Sequence, residues 1–292
     1  VTTATAARSG KGHKDENFPV ASRLVSPRHR GPILAFYRFV RAADDVADHP
    51  TLAPDEKLRL LDALEAALTG KGPADPEAEP LRQALAERGL SPRHAQDLLD
   101  AFRQDARKTR YADWGELMGY CALSAMPVGR FVLDVHGEDR RSWAASDPLC
   151  AALQVINHLQ DCAKDYRSLD RVYLPADALL RHGARIEELA AGKASPALLA
   201  VIRELNDSCA GLLRQSAAFP SIIADRRLAL EVAVIQSLAG SLVRKLRTHD
   251  PLSERVHATK PEALIAAAAG VMKAILQRTG RRSGRAQAKL TP

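Results

Sequence analysis

The sequence predicts an all-α fold, and three observations predict it. Ala and Leu dominate the 292 residues while aromatic side chains make up only 4%, a balance that favours helix over sheet. No run of alternating β-branched residues persists long enough to make a strand. Polar caps followed directly by proline recur along the chain, and such pairs open helices.

Taken in order, residues 1–14 are small, polar and glycine-containing and are expected to be flexible. Gly10-Lys11-Gly12 is not a P-loop, because the full spacing to a Lys-Ser/Thr pair is missing. A short helix is expected through 21–24, interrupted at Pro27. The first long helix is expected from about Pro32 to Asp48, with His49-Pro50 beyond it. Pro54 and Pro76 flank helices at about 55–69 and 77–88, and Ser91-Pro92 opens one through Ala106. Asp113 caps a helix reaching toward Asp134, with a kink expected at Pro127. Asp147-Pro148 opens the next, Ser195-Pro196 opens one through Ser216, and later helices span about 225–247 and 261–279. No linker is long enough to divide the chain. The expectation is one all-α domain over 15–279, followed by a basic, flexible tail over 280–292.

Composition narrows the function. A hydrophobic share of 46% with 26% charged is ordinary for a protein with a sizeable core. No segment approaches the roughly 20 apolar residues that span a bilayer, and the most apolar late stretch, 263–276, is too short. No secretory leader opens the sequence, so a cytoplasmic location is expected. The net charge of +7 makes nucleic acid the first partner to consider, but no base-reading module is present and none is expected to bind. Much of the excess sits in Arg278, Arg281, Arg282, Arg285 and Lys289, which suits contact with anionic lipid on the inner membrane face. Cys121, Cys150, Cys162 and Cys209 are scattered without a C-x-x-C pair, as in a reducing compartment, and offer no zinc site. His13, His29, His49 and His158 have no metal spacing; His158 is read as packing. The glycine fingerprint of dinucleotide-binding folds is absent, so no NADPH is expected.

Chemistry concentrates in two helices. At about 100° per residue, Tyr37, Arg41, Asp44 and Asp48 share one narrow face of a segment (35–48) that is otherwise largely apolar. In 149–165, Gln154, Asn157, Asp161 and Asp165 do the same. An unpaired buried carboxylate costs several kcal/mol, so such stripes call for a cation. If the two helices face each other, four carboxylates converge, and oxygen-only ligands suit Mg²⁺ completed by water and phosphate oxygens. A single Asp-x-x-x-Asp pair is usually a solvated face; two pairs, each extending a polar stripe on an apolar helix, point to a shared metal site. Arg41 lies one turn before Asp44 and either pairs with it or binds phosphate beside the metal. Arg103, Asp105, Lys108, Arg110 and Tyr111 form a further patch, and Arg171 and Tyr173 follow the second stripe.

These motifs, in this order, resemble the squalene/phytoene synthase family over about 17–247. The residues that carry the resemblance are Tyr-Arg-Phe-Val-Arg-Ala-Ala-Asp-Asp-Val-Ala-Asp (37–48), Gln-Val-Ile-Asn-His-Leu-Gln-Asp-Cys-Ala-Lys-Asp-Tyr (154–166) and Arg-Val-Tyr-Leu-Pro (171–175). The resemblance implies an isoprenoid-synthase-type helical bundle around a central cavity. It implies Mg²⁺–diphosphate binding by Asp44, Asp48, Asp161 and Asp165, with Tyr37 and Arg41 in the catalytic site and Gln154 and Asn157 lining it. Asn17, Phe18, Lys108, Arg110, Tyr111, Arg171 and Tyr173 are further candidate substrate contacts. Glu-Asn-Phe-Pro-Val-Ala-Ser (16–22) and Ser-Ala-Met-Pro-Val-Gly (124–129) look like the hydroxysqualene synthase branch. That branch implies ionisation of presqualene diphosphate, rearrangement of the cation and capture by water. Asp-Glu-Asn-Phe (15–18) replaces the Ser-x-Ser-Phe of many condensing members. Ala122-Leu123 stands where many have a tyrosine. Both departures argue against the alternative, head-to-head condensation of farnesyl-type diphosphates to presqualene diphosphate, squalene or phytoene. Asn17, Gln154 and Asn157 are the candidates for positioning the water.

Overall fold

The computed structural model describes residues 25–287, with side chains through Leu276. Twelve α-helices follow one another among the described residues: α1 (Pro27–Ala47), α2 (Pro54–Leu68), α3 (Glu79–Arg88), α4 (Arg93–Asp105), α5 (Trp114–Ser124), α6 (Met126–His136), α7 (Trp143–Leu169), α8 (Ala176–His182), α9 (Pro196–Gln215), α10 (Phe219–Ile222), α11 (Arg226–Leu246) and α12 (Lys260–Gln287). No strand occurs there; the nearest thing is an isolated bridge between Arg110 and Val172. The expected all-α class holds. The helix expected at 21–24 lies outside the described residues.

Several caps work as their side chains dictate. Asp113 Oδ1 accepts from the Glu116 N–H at 2.8 Å, Ser195 Oγ from the Leu198 N–H at 3.1 Å, and Asp225 Oδ1 from the N–H groups of Arg227 and Leu228. Each satisfies orphan donors in a first turn, an effect of about 1 kcal/mol.

Four expectations need correction. α1 begins at Pro27, so Pro32 lies inside it. Proline removes the N–H that would have bonded the carbonyl of Arg28, and the Arg88 guanidinium donates to that carbonyl instead. α7 begins at Trp143 and runs through Pro148. Asp147 does not cap it, because Arg130 of α6 holds that carboxylate by two bonds of 2.9 and 2.6 Å. The kink expected at Pro127 is a full break: Ala125 leaves helical geometry at φ −128°, and Pro127 sits in the first turn of a new helix. Finally, α12 continues to Gln287, past the expected end at 279, so Arg281, Arg282 and Arg285 belong to a helix rather than a flexible tail. The good helix formers around Gly280 and Gly284 outweigh those two glycines. Short α8 and α10 were not anticipated, since segments of that length carry little periodicity.

Two apolar cores flank the site. One gathers Phe36, Phe39, Leu61, Leu64 and Leu99 from α1, α2 and α4; the other gathers Tyr120, Leu159, Leu198, Val201 and Leu242 around α7, α9 and α11. Phe39, Leu61 and Leu159 are essentially inaccessible to water, and such side chains contribute about 1.5–3 kcal/mol each. α7 is the central column, packed against α5, α6, α9 and α11. No described helix is long and apolar enough to cross a membrane.

Candidate active site

The two aspartate stripes meet. Asp44 and Asp48 stand at the C-terminal end of α1; Asp161 and Asp165 stand in the C-terminal half of α7. Asp165 is pushed up to about 7 by burial, then by the charge of Asp161, and also by Asp48 from the other helix. Asp44 is held well above the usual carboxylate range by burial and by Asp48, against the pull of Arg41, although 30% of its side chain still meets solvent. Like charges facing each other in a cleft raise one another's cost of ionisation. The carboxylates therefore ionise together only at a cost, which a bound cation would offset.

Two arginines face these carboxylates. Arg41 bridges Asp44 Oδ2 at 2.8 Å and the fully enclosed Asp45 Oδ1 at 2.7 Å. Its pairing with Asp44, one of two options open from sequence, is the arrangement found. Arg171 is buried and donates to Asp48 Oδ1 at 2.5 Å, to the Ala47 carbonyl at 3.3 Å and to the Asp105 carbonyl at 3.4 Å. It ties the end of α1 to α4 and to the loop after α7. Asp105 accepts from the Tyr120 hydroxyl at 2.8 Å, and burial pushes it up to about 7.

Lys108 and Arg110 are engaged elsewhere. Lys108 pairs with Glu116, and Arg110 with Asp170 at 2.5 Å; Arg41 and Arg171 are joined by Lys164, which pulls Asp165 down, and by Lys57, which lies near Asp48. Tyr111 and Tyr173 are buried in a ring cluster with Tyr120 and His158, and Asp105 bonds to the Tyr120 hydroxyl at its edge. His158 stacks on Tyr173 with centroids 3.5 Å apart, as a packing residue should, and burial lowers it to about 3. Gln154 and Asn157 are half-buried on α7 between the aspartates and the cavity described next. Asn17 and Phe18 lie outside the described residues.

Below the acidic mouth, between the N-terminal halves of the same helices, is an apolar cavity of about 260 Å³. Its walls are Ile33, Phe36, Tyr37 and Val40 of α1, Val128, Gly129, Val132 and Leu133 of α6, Leu149, Cys150 and Leu153 of α7, with Phe219, Leu228, Val232 and Ile235 closing the far side. Tyr37 thus belongs to the cavity, one turn from Arg41. Gly129 accounts for the glycine of the 124–129 motif: a Cβ there would sit 2.5 Å from both Ser146 Oγ and Cys150 Sγ, so a larger residue would make both of those side chains turn away.

The four carboxylates suit a divalent cation by donor type and by the cost of ionising them together. Among the described residues they do not gather three ligand atoms within one ion's reach. The cluster that does is His29, His136 and Asp225, with ligand atoms within 4.8 Å. Sequence spacing could not reveal it, since its members are far apart in the chain. Arg28 donates to His29 Nε2 at 2.9 Å and Asp225 caps α11, so two of its three members are already engaged. A wide-set oxygen mouth suits ions that are shared with phosphate oxygens.

Sequence reasoning missed Asp45, although its spacing of four from Arg41 is an ion-pair signal. It also missed Glu231, a lone carboxylate in the apolar run Leu-Ala-Leu-Glu-Val-Ala-Val (228–234).

An all-α bundle with an oxygen-lined mouth over a greasy cavity defines an enzyme for molecules with an ionic head and a hydrocarbon body. The chain belongs to the squalene/phytoene synthase family, whose sequence profile matches residues 11–262. Similar relatives are the hydroxysqualene synthase of Rhodopseudomonas palustris, 57% identical and covering 96% of each chain, and that of Sinorhizobium fredii, 56% identical over 91% of each. A crystal structure of squalene synthase from Alicyclobacillus acidocaldarius superposes with a TM-score of 0.70 at 30% identity, covering 78% of this chain and 86% of that one. The protein is an enzyme of this family, which acts on prenyl diphosphates.

Proposed function

We propose that the enzyme converts presqualene diphosphate to hydroxysqualene. The observation that carries the reading is the pairing of a carboxylate-lined mouth with an adjoining apolar cavity on the same two helices; identity above 50% to hydroxysqualene synthases supports it. Asp44, Asp48, Asp161 and Asp165 would hold Mg²⁺, which supplies the positive charge a departing diphosphate needs. Arg171, fixed by Asp48 and two carbonyls, holds the end of α1 in place, and Arg41 keeps Asp44 oriented toward the mouth. The cavity walls keep bulk water from the cation while it rearranges. Water, rather than a hydride donor, ends the reaction. Residues 15–279 act as one prenyl-diphosphate-processing unit.

The test is incubation of purified protein with Mg²⁺ and presqualene diphosphate, without NADPH, followed by mass spectrometry of the organic extract. A hydroxylated thirty-carbon product is expected. No product there, with farnesyl diphosphate consumed in a parallel tube, would assign the protein to the condensing branch.

The reading includes contact with an anionic membrane surface through α12. This helix packs Ala266, Gly270 and Ala274 inward and leaves Leu264, Ile265 and Leu276 exposed at 72%, 70% and 63%. From 260 onward the chain carries seven Lys and Arg against Glu262 alone, a net +6 of the total +7. That charge repels a second copy of the same face and attracts anionic headgroups, while the apolar side chains enter the interface. Flotation with phosphatidylglycerol vesicles should fail for a Leu264→Ser/Ile265→Ser variant; undiminished flotation sinks this part.

A further inference from the structure

The apolar cavity contains a carboxylate. Glu231 stands on α11 among Leu228, Val232 and Ile235, is buried to 4%, and lines the cavity with them. Among the described residues that line it, only Tyr37 and Ser146 bring other side-chain oxygens to the wall. Glu231 is the one carboxylate among the described residues that line this cavity. The aspartates of the mouth belong to the diphosphate end of the substrate. Glu231 belongs to the hydrocarbon side of the site, where the cation lies once it has rearranged.

Capture has a proton to dispose of. When the C–O bond of the substrate breaks, its electron pair leaves with diphosphate. A lone pair of water then forms the new C–O bond to the rearranged thirty-carbon cation, leaving a protonated oxygen. One O–H bond must break, its electrons staying on oxygen. A base within hydrogen-bond reach of that water makes the capture irreversible. Without it, the cation loses a proton from carbon instead and ends as a hydrocarbon polyene.

We infer that Glu231 is the catalytic base of the capture step: its carboxylate orients the water and receives its proton, with the hydroxyls of Tyr37 and Ser146 as further hydrogen-bonding partners of that water. This rests on the reading of the reaction as ionisation followed by water capture. Asn17, Gln154 and Asn157 were the candidates for positioning the water; Glu231 is the one of the four that can also take its proton.

The experiment uses the full chain with Mg²⁺ and presqualene diphosphate, and reads diphosphate release and the alcohol-to-hydrocarbon ratio in parallel. Glu231→Gln should release diphosphate within about threefold of the parent rate while the alcohol share falls at least tenfold in favour of polyene. Glu231→Asp, which keeps the charge one methylene back, should give an intermediate ratio. An unchanged ratio in both variants overturns the assignment, as does a parallel loss of alcohol and diphosphate release in both, which is what a structural role would give. If the unmodified enzyme releases diphosphate but makes no alcohol, the reading of the reaction fails, and the Glu231 assignment falls with it by a different and recognisable result.

Discussion

The acidic mouth and the apolar cavity are built on opposite halves of the same two helices, and they are stabilised by different means. In the mouth, Asp44, Asp48 and Asp165 repel one another, and Arg41 and Arg171 only partly offset them. In the cavity, shape dominates: Phe36 stacks on Phe131 with centroids 3.9 Å apart, and Gly129 of α6 leaves room for Ser146 and Cys150 of α7. The mouth gives up folding stability to keep charge available for a cation and a diphosphate. The cavity gives up packing volume to keep a space dry. Each half should fail in its own way when altered.

The largest effect belongs to the mouth. Asp44→Asn should lower turnover by about 10²–10³-fold, the scale of losing one preorganised charge-stabilising group, with helical circular dichroism unchanged. The metal-free variant should also melt later than its parent at pH 8. The Asp44 carboxyl is raised to about 8 in the fold, so stability falls as pH rises from the ordinary carboxylate range to about 8, where the unfolded chain has lost a proton the fold retains, and Asn removes that loss. An earlier melt, or unchanged turnover, would break the contrast between the two regions.

Next is Arg171→Met. Removing Arg171 leaves the half-buried Asp48 and the carbonyl of Asp105 without its donations, while Lys57 still holds the Ala47 carbonyl at 2.7 Å; the cost, about 1–3 kcal/mol, is measurable by urea unfolding. The Mg²⁺ dependence of turnover should shift to higher concentration, because the end of α1 loses its tether.

The cavity is tested by Gly129→Ala. Overpacking against Ser146 and Cys150 should cost about 1–3 kcal/mol and raise the share of products formed by premature quenching, while diphosphate binding measured by calorimetry stays the same. A change in diphosphate affinity would mean that the two halves are not separable.

The smallest effect concerns the ring cluster. His158 is lowered to about 3 by burial and by the neighbouring Arg171. Below about pH 6.5 the unfolded chain binds a proton that the fold does not, so stability falls as pH falls through that value. His158→Phe, which keeps the stack on Tyr173, should remove about 1.4 kcal/mol of that loss by pH 5.5; equal pH slopes for the two proteins would refute it.

How much of this was legible from the chain follows from the range of the forces involved. The stripes on α1 and α7 are local periodicity, and so both were visible, as were the caps at Asp113 and Ser195. The false starts at Pro32 and Pro148 had a common reason. Proline was read by its local preference, whereas Arg88 and Arg130, distant in sequence, supply or withdraw the partners that decide where those helices begin. Lys108 and Arg110 were candidate substrate contacts beside Tyr111; their pairing with Glu116 and Asp170 was not legible, because ion pairing between loops has no sequence period.

Helix class, the two carboxylate stripes and the family were determined by the sequence itself, because each rests on side-chain order within a few turns. Only the tertiary structure decided that the stripes face each other, that Arg171 closes on Asp48 across 123 positions, and that a glutamate from α11 joins a cavity walled by α1, α6 and α7. Those are outcomes of packing, where desolvation and contact select among arrangements that local propensity leaves equal.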